Sequence, residues 1–549
     1  MKRLIAGGLL LLLVAIGIFL WRQHQQSLLA SQLAPADCLL YVEVPDLLQT
    51  EKRWPDTALS RILGEPSVQH FLRQPISKAP ANYQNAWGSF AALHCSALFF
   101  GVTDPNRARW ICGLQTSVNL STRRREVTNI SKALFGQDIK EFAAENLERE
   151  ETEGGGARKV AAQISCVRTG SWILLSRSKE LLFEAVRNSR TTSGGLRSLK
   201  LFKQCQANVP AGYDLLFFAQ GEPSLDPLVG LHWRFREQGT QANARAVLAA
   251  TTMMGARLRD TVFILNGTSA DGSRLDRKGL AMTSSSTIGY LASHVGFAEI
   301  WRWCGQLSEE SSFAETVRRY MGEAKSFGIE PRDLDSVISG AEIIVDRDPK
   351  TDSLNGAISL EVDDPAKFEN LMDQVVTEKF PDSCRKIQVA SVPAYLMRVN
   401  ERVSIVFGLI GRQLLISGSE PNFAEFVYRL QSHAPGLEAN NQYEAIAKLV
   451  DKPSDLFAYL DAKSGFERFY DASRPMLAFG IVLVPNLNRY VDAMALPETG
   501  DISKHLGPIV LSRHRVPNGV VDESIGPITA YEAVALILGG ALAMGLWER

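Results

Sequence analysis

Three aspartates, Asp346, Asp348 and Asp352, fall within one short segment. Clustered carboxylates are the hard oxygen ligands that Ca²⁺ takes. The segment lacks the glycine and the distal glutamate of a calcium-binding helix–loop–helix hand, so it reads as a solvated hairpin turn. His505 and His514 flank a strand-like run and could ligate a metal or pass a proton. Nine residues apart, they would point to opposite faces of a straight strand, so a structural or surface role is expected for both. Asp214 and Asp455 each stand directly before an apolar strand. Two carboxylates facing each other are the machinery of glycoside hydrolysis. Turn or cap chemistry explains their position more simply.

Three further groups carry weaker signals. Arg123, Arg124 and Arg125 read as a solvated loop, able to touch anionic headgroups if it lies near a membrane. Trp301 and Trp303 flank Arg302, near Phe297 and Tyr290. They suggest a partly buried helix, or an aromatic patch for a ligand or protein. The seven cysteines are Cys38, Cys95, Cys112, Cys166, Cys205, Cys304 and Cys384. None forms a Cys-x-x-Cys pair, so the spacing of a zinc ribbon or a thioredoxin-type site is missing. Several sit in strand-like apolar runs and read as buried thiols, with one or two disulfides possible in an oxidising compartment.

Motifs that force a particular chemistry do not occur. There is no phosphate-cradling Gly-x-x-x-x-Gly-Lys-Ser/Thr loop, no His-Glu-x-x-His, no Gly-x-Ser-x-Gly elbow and no dinucleotide fingerprint. No residue is therefore assigned a catalytic, cofactor-binding or metal-ligating role, and no cofactor is expected. Lys plus Arg number 59 against 60 Asp plus Glu. That balance gives no electrostatic case for nucleic acid, whose phosphates must be neutralised.

The elements that would position these groups suggest two to four folded units in 549 residues. Leu39 to Val44 reads as a strand. Ala97 to Val102 and Trp110 to Thr116 flank Asp104-Pro105-Asn106. Ala341 to Val345 and Ala357 to Val362 flank Asp348-Pro349-Lys350. Both read as hairpins, because Pro pre-sets φ and Asp closes the turn through its side chain. After the second, Pro365, Phe368, Leu371, Met372, Val375 and Val376 recur at helical spacing. After the first, Ile130, Ala133 and Leu134 do so more weakly. Asn243 to Arg257 reads as a helix with Ala246, Val247, Ala250, Met253 and Met254 along one side, and Phe313 to Phe327 as another. Thr261 to Leu265 and Gly279 to Thr283 suggest a hairpin across Ala270-Asp271-Gly272-Ser273, as do Ile509 to His514 and Gly519 to Ser524 across Pro517-Asn518. Glu148 to Arg158 is a surface loop.

An internal repeat organises these pieces. Gly170 to Ser178 matches Gly411 to Ser419, each a strand ending in Ser-x-Ser. Leu182, Glu184 and Val186 fall opposite Phe423, Glu425 and Val427. Gly195-Leu196 falls opposite Gly436-Leu437, Phe202 opposite Tyr443, and Asp214 to Phe218 opposite Asp455 to Tyr459. All share one offset of 241 residues. The expected fold is α+β: two related modules of mainly antiparallel sheet with helices packed on one face. Their expected limits are residues 35–225 and 226–465, followed by a C-terminal extension with a hairpin at 466–526.

The ends are apolar. Leu4 to Trp21 is unbroken and spans roughly 27 Å as a helix. It exceeds the usual apolar core of a cleaved signal peptide, so residues 1–30 are expected to be a signal-anchor transmembrane segment. Lys2 and Arg3 before it leave the N-terminus cytoplasmic and the bulk of the chain outside, which in a bacterium is the periplasm. Ile528 to Trp547, within 527–549, is a second run long enough to span. It is rich in Gly and Ala, and a helix docked on the body is the alternative.

With these pieces in place, the chain resembles an uncharacterised family of membrane-anchored bacterial envelope proteins, known only as a domain of unknown function. The resemblance rests on Leu33-Ala34-Pro35-Ala36-Asp37 leading to Tyr41-Val42-Glu43-Val44 after the anchor. It rests also on the recurring Gly-x-x-Leu-Leu-Ser-x-Ser strand, helix and Asp-Leu-x-x-Phe/Tyr strand. It covers about Pro35 to Lys463, and the tail from Ile502 to Thr529 departs from it. The resemblance implies no activity and no catalytic residues. The expected role is a non-catalytic, membrane-anchored envelope protein that binds a partner or organises an assembly. A module for an apolar or amphipathic ligand is the second reading, and an enzyme with an unlisted site the third.

Overall fold

The computed structural model describes residues 28–78, 89, 92–104, 109–117, 124–135, 139–142, 164–191, 194–220, 245–267, 275–294, 338–348, 351–398, 404–483 and 492–529. The apolar runs at 4–21 and from 530 on, the helix read at 313–327, the loop at 148–158 and the aromatics at 297–303 lie outside them. The chain divides into two compact units. The first comprises Met1–Leu48, Pro80–Lys203 and Phe217–Ala219. The second comprises Gln49–Ala79, Gln204–Leu216 and Gln220–Arg549. The protein is α+β, built on mostly antiparallel sheet.

In the first unit, β1 (Leu40–Val44), β2 (Ala97–Asp104), β3 (Arg109–Gln115), β6 (Trp172–Ser176) and β5 (Ile164–Thr169) pair antiparallel in that order. β4 (Ile139–Phe142) adds to β5 in parallel, and β7 is Leu215–Gln220. β5 turns into β6 across Gly170-Ser171, with Gly170 at φ +57°, the positive φ that a two-residue hairpin needs. α1 (Ala30–Leu33) leads to β1, and α2 (Arg124–Phe135) follows β3. α3 (Lys179–Ser189) is capped by Ser178, whose hydroxyl accepts the Leu181 N–H. Val127 and Ile130 of α2 share a core with Trp110, Ile173 and Leu175. The alternate β6 residue Trp172 turns the other way and meets the Phe99 ring edge-on at 5.4 Å.

α1 is a buried strap. The Gln32 amide donates to the Asn188 and Thr191 carbonyls, and the Leu196 N–H donates to Ala34 O at 2.8 Å. The Trp172 indole N–H reaches Leu28 O at 2.8 Å. A side chain at Gly195 would collide with this strap.

In the second unit, twelve strands among the described residues form one antiparallel sheet. Their order is β8 (Ala246–Met254), β9 (Arg257–Leu265), β19 (Gly519–Gly526), β18 (Pro508–Val516), β17 (Leu456–Asp461), β10 (Thr287–Ser293), β11 (Ile338–Arg347), β12 (Leu354–Val362), β16 (Gln413–Ser417), β15 (Ser404–Ile410), β14 (Val392–Arg398) and β13 (Cys384–Val389). α4 (Pro365–Lys379) begins at Asp364, which accepts the Lys367 N–H with Pro365 in the first turn. α5 (Glu420–Ser432) is capped by Ser419. α6 (Asn441–Ala447), α7 (Ala462–Leu483) and α8 (Thr499–Ser503) follow along the chain.

Several expectations are corrected. Helices cover both faces of the sheet rather than one. Phe423, Phe426 and Val427 of α5 share a core with Leu415 and Ile344. Phe368 and Val376 of α4 pack with Leu414 and Leu360. Adjacent strand residues such as Leu414 and Leu415 point to opposite faces, and both are buried, so both faces need cover. Within the segment read as a helix at 243–257, Arg257 opens β9 and Ala246–Met254 is β8. Its apolar residues fit a helical stripe, but β-branched Val247, Thr251 and Thr252 favour a strand, and the β9 backbone satisfies it. β9 therefore turns back from β8 across Gly255-Ala256 instead of pairing forward. Gly279 lies in a 3₁₀ turn, Lys278–Met282. Arg124 and Arg125 are not in a loop but open α2, with their side chains exposed. The tail hairpin β18–β19 is laid into the sheet, between β17 and β9.

Gly195→Ala is expected to cost at least about 2 kcal/mol by overpacking and by its positive φ. Its Cβ would lie 2.1 Å from Gln32 O at φ +68°. Gly500→Ala in α8, where nothing lies within 4 Å, should change stability by less than about 1 kcal/mol. Denaturant midpoints compare the two, and equal midpoints would mean that the strap is not docked.

Candidate functional site

The three turn aspartates diverge. Asp346 is buried at 2% exposure in β11, where it takes the Arg429 guanidinium and the Thr287 hydroxyl. Asp348 closes the turn by accepting from the Thr351 hydroxyl at 2.8 Å. Asp352 pairs with Arg347 at 2.6 Å and with Arg468. The Arg347 hydrogen bond, ahead of the Arg468 charge, lowers its pKa. The expectation of one solvated turn thus fails for Asp346. It faces the core side of β11, and a buried carboxylate needs a cation.

His505 is not on the strand but follows α8. Its Nε2 lies 2.6 Å from Glu65 Oε1, and Lys504 Nζ lies 2.8 Å from Glu65 Oε2. The Lys504 hydrogen bond, then that of His505, lowers the Glu65 pKa. His514 sits on β18, so the two imidazoles have separate partners. Asp214 and Asp455 likewise each have their own arginine. Asp214 binds Arg53 at 3.3 Å and accepts the Met253 N–H at 2.7 Å. Asp455 takes the Arg515 Nε at 2.8 and 2.9 Å. Each also donates its backbone N–H to a strand carbonyl, Thr251 O for Asp214 and Arg513 O for Asp455. Both carboxylates are thus held by distant arginines and strand partners rather than by a local turn or helix cap, which corrects the turn-or-cap expectation.

Cys95, Cys112, Cys205 and Cys384 are free thiols, and Cys38 and Cys166 are buried. Burial pushes Cys95 up to about 11 and Cys112 and Cys205 up to about 12. It raises Cys38 and Cys384 as well. Protonated thiols are poor nucleophiles and poor metal ligands. Cys304 lies outside the described residues, as do Phe297, Trp301, Arg302, Trp303 and Arg123. Tyr290, the described member of the aromatic cluster, is buried on β10 and donates to Glu342.

One grouping escaped the sequence. Asp451, His514 and Glu523 bring ligand atoms within 4.8 Å of one another. His514 and Glu523 lie nine residues apart across the β18–β19 hairpin, and Asp451 joins them from the stretch before β17. As a metal centre the trio is poorly built. Glu523 Oε1 already takes Arg259, and Oε2 accepts the Asp451 N–H at 2.7 Å. A ligating imidazole normally donates its other N–H to an acceptor, whereas His514 Nδ1 is buried without one. The group is instead tied into the sheet, with Glu523 held by Arg259 and His514 Nε2 3.7 Å from Asp451.

Two buried carboxyls are perturbed. Asp260 accepts from the Thr251 hydroxyl at 2.7 Å and from Thr529. Burial raises its pKa, and these hydrogen bonds oppose the rise only in part. Glu342 accepts the Gly279 N–H at 2.8 Å and the Tyr290 hydroxyl. Burial again dominates and raises it. Beside Glu342, a cleft of about 10 Å³ is lined in part by Asp276, His294 and Glu361. It has room for about one water. Lys278 supplies the countercharge, 2.7 Å from Glu361 and 3.3 Å from Asp276. Such a cleft cannot take an organic ligand.

No family model matches the chain, and no curated protein does. Two solved structures are similar in part. Crystal form I of TP0453 is 12% identical over 47% of this chain and 79% of that chain, with a TM-score of 0.22. Crystal form III is 10% identical over 44% and 80%, with a TM-score of 0.21. Likeness at that level carries no argument about fold or function.

A carboxyl whose pKa rises on folding favours the protonated fold. That contribution is complete below the unfolded value near 4 and is lost as pH rises through the folded value. Asp260→Asn and Glu342→Gln should therefore each flatten the loss of stability as pH rises above about 4. Denaturant titrations across that range test it, and variant profiles parallel to the wild type would contradict the assignment.

Proposed function

We propose that this is a non-catalytic, membrane-tethered envelope protein whose α+β units present surfaces to a partner. One observation carries the reading. The described residues with the best claim to chemistry are engaged within the fold: Asp346 with Arg429, Asp214 with Arg53, Asp455 with Arg515 and His505 with Glu65. Charges held in this way position strands and helices; none is left facing an organic-sized cleft among the described residues.

The tether in this proposal is the apolar run from Leu4 to Trp21, with the run from Ala533 to Trp547 as a second attachment. The bulk of the chain lies in the periplasm of a bacterium. The resemblance to uncharacterised envelope proteins supports the reading through the residues that open β1 and close each module.

The two modules are also proposed to be copies. Residues related by the offset of 241 play like parts. Phe202 and Phe218 meet edge-on at 5.1 Å, and Tyr443 and Tyr459 at 5.2 Å. Gly170 and Gly411 turn their hairpins at φ +57° and +61°. Ser178 and Ser419 cap the helices that follow.

The full chain should stay in the membrane pellet through an alkaline carbonate wash. Leu11→Arg and Val14→Arg together with Leu538→Arg and Leu542→Arg should release it, each charge costing about 2.5–3.5 kcal/mol at mid-span. Crosslinking in intact membranes should recover the same protein partner in each replicate. Wild-type chain released by the wash would end the tethered reading, and repeated recovery of no partner would end the binding role.

A further inference from the structure

We infer that one face of α7 rests on the lipid surface of the membrane; this rests on the tethered reading above. Phe469, Met476 and Phe479 are 73%, 75% and 64% exposed. Their spacing of seven and three places them on one side of the helix, with exposed Ala472 between them. Met494, beyond the helix, is 91% exposed. Side chains of this size gathered on one helix face mark a surface made to be covered.

The opposite side of α7 is fastened to the body. The Tyr470 hydroxyl donates to Pro497 O at 2.8 Å, and Arg474 donates to Leu496 O at 3.1 Å. Phe466 stacks on Tyr470 at 5.0 Å, and Asp471 accepts from the Thr499 hydroxyl. The apolar face is therefore held outward by the polar one. No helix among the described residues is long and apolar enough to cross a membrane, and α7 itself carries Glu467, Arg468, Asp471 and Arg474. An apolar stripe turned away from Glu467, Asp471 and Arg474, with Arg468 at its border, suits a helix lying in the interface plane.

The path of the chain favours lipid over another protein. Thr529 is fixed to Asp260 in the same unit as α7. Only residues 530–532 separate it from the apolar run that starts at Ala533. Fully extended, that connection reaches about 14 Å. A bilayer entered by that run is held beside the unit at an effective concentration that a free partner would have to match.

The test uses the full chain in vesicles of palmitoyl-oleoyl phosphatidylethanolamine and phosphatidylglycerol. p-Benzoylphenylalanine replaces Met476 or Phe479, or, as a control, exposed Tyr428 on α5. Illumination should give about tenfold more lipid adduct at 476 and 479 than at 428. Lipid adduct no higher than at 428, or crosslinking of 476 and 479 to a second copy or to another protein instead, would overturn the inference. A carbonate wash of the same vesicles separates the two failures. Chain that washes out sinks the tether itself, whereas chain that stays without lipid adduct sinks only the placement of α7.

Discussion

The second unit depends on how β19 buries two adjacent charges. Every residue from Gly519 to Gly526 is buried, and Asp522 and Glu523 point to opposite faces because strand side chains alternate. Each is met by an arginine from a different neighbour. Arg513 on β18 grips Asp522 with two bonds of 2.7 Å, and Arg259 on β9 takes Glu523. Removing Arg259 would take from the buried Glu523 carboxylate its arginine, at a cost of about 3–5 kcal/mol. The pairs also set register. A slip of one residue would carry both carboxylates to the wrong faces.

The same logic extends outward from β19. Asp451 offers its backbone N–H to Glu523, which fixes the approach to β17. Asp455 and Arg515 pin the start of β17 to β18. Asp346 and Arg429 tie β11 to α5. At each seam the apolar cores supply the larger share of stability, and the ion pairs select one arrangement among the ways strands of similar composition could pair.

Much of this was legible in the sequence. The Asp-Pro turns announced both hairpins, because Pro and Asp act locally on φ and on the turn amide. Pro365 and the Ser-x-Ser endings announced α4, α3 and α5 for the same reason. β8 was misread because Ala246, Val247, Ala250, Met253 and Met254 satisfy a helical period, while the β9 edge that overrides it lies outside any local window. The burial of Asp346 and the meeting of Asp451, His514 and Glu523 were invisible, since both are products of strand register. One hint was available: Asp522-Glu523 between Val521 and Ile525 places charge inside an apolar strand, which asks for partners on both sides.

Amide hydrogen exchange on the full chain tests most directly whether the paired charges of β19 hold this sheet together. The account predicts that amides from Val520 to Ile525 exchange among the slowest, together with β9, β18 and β17, and that Arg513→Gln speeds all four strands as one unit. Early exchange of β19 by itself, or a variant whose strands exchange as slowly as the wild type, would contradict it.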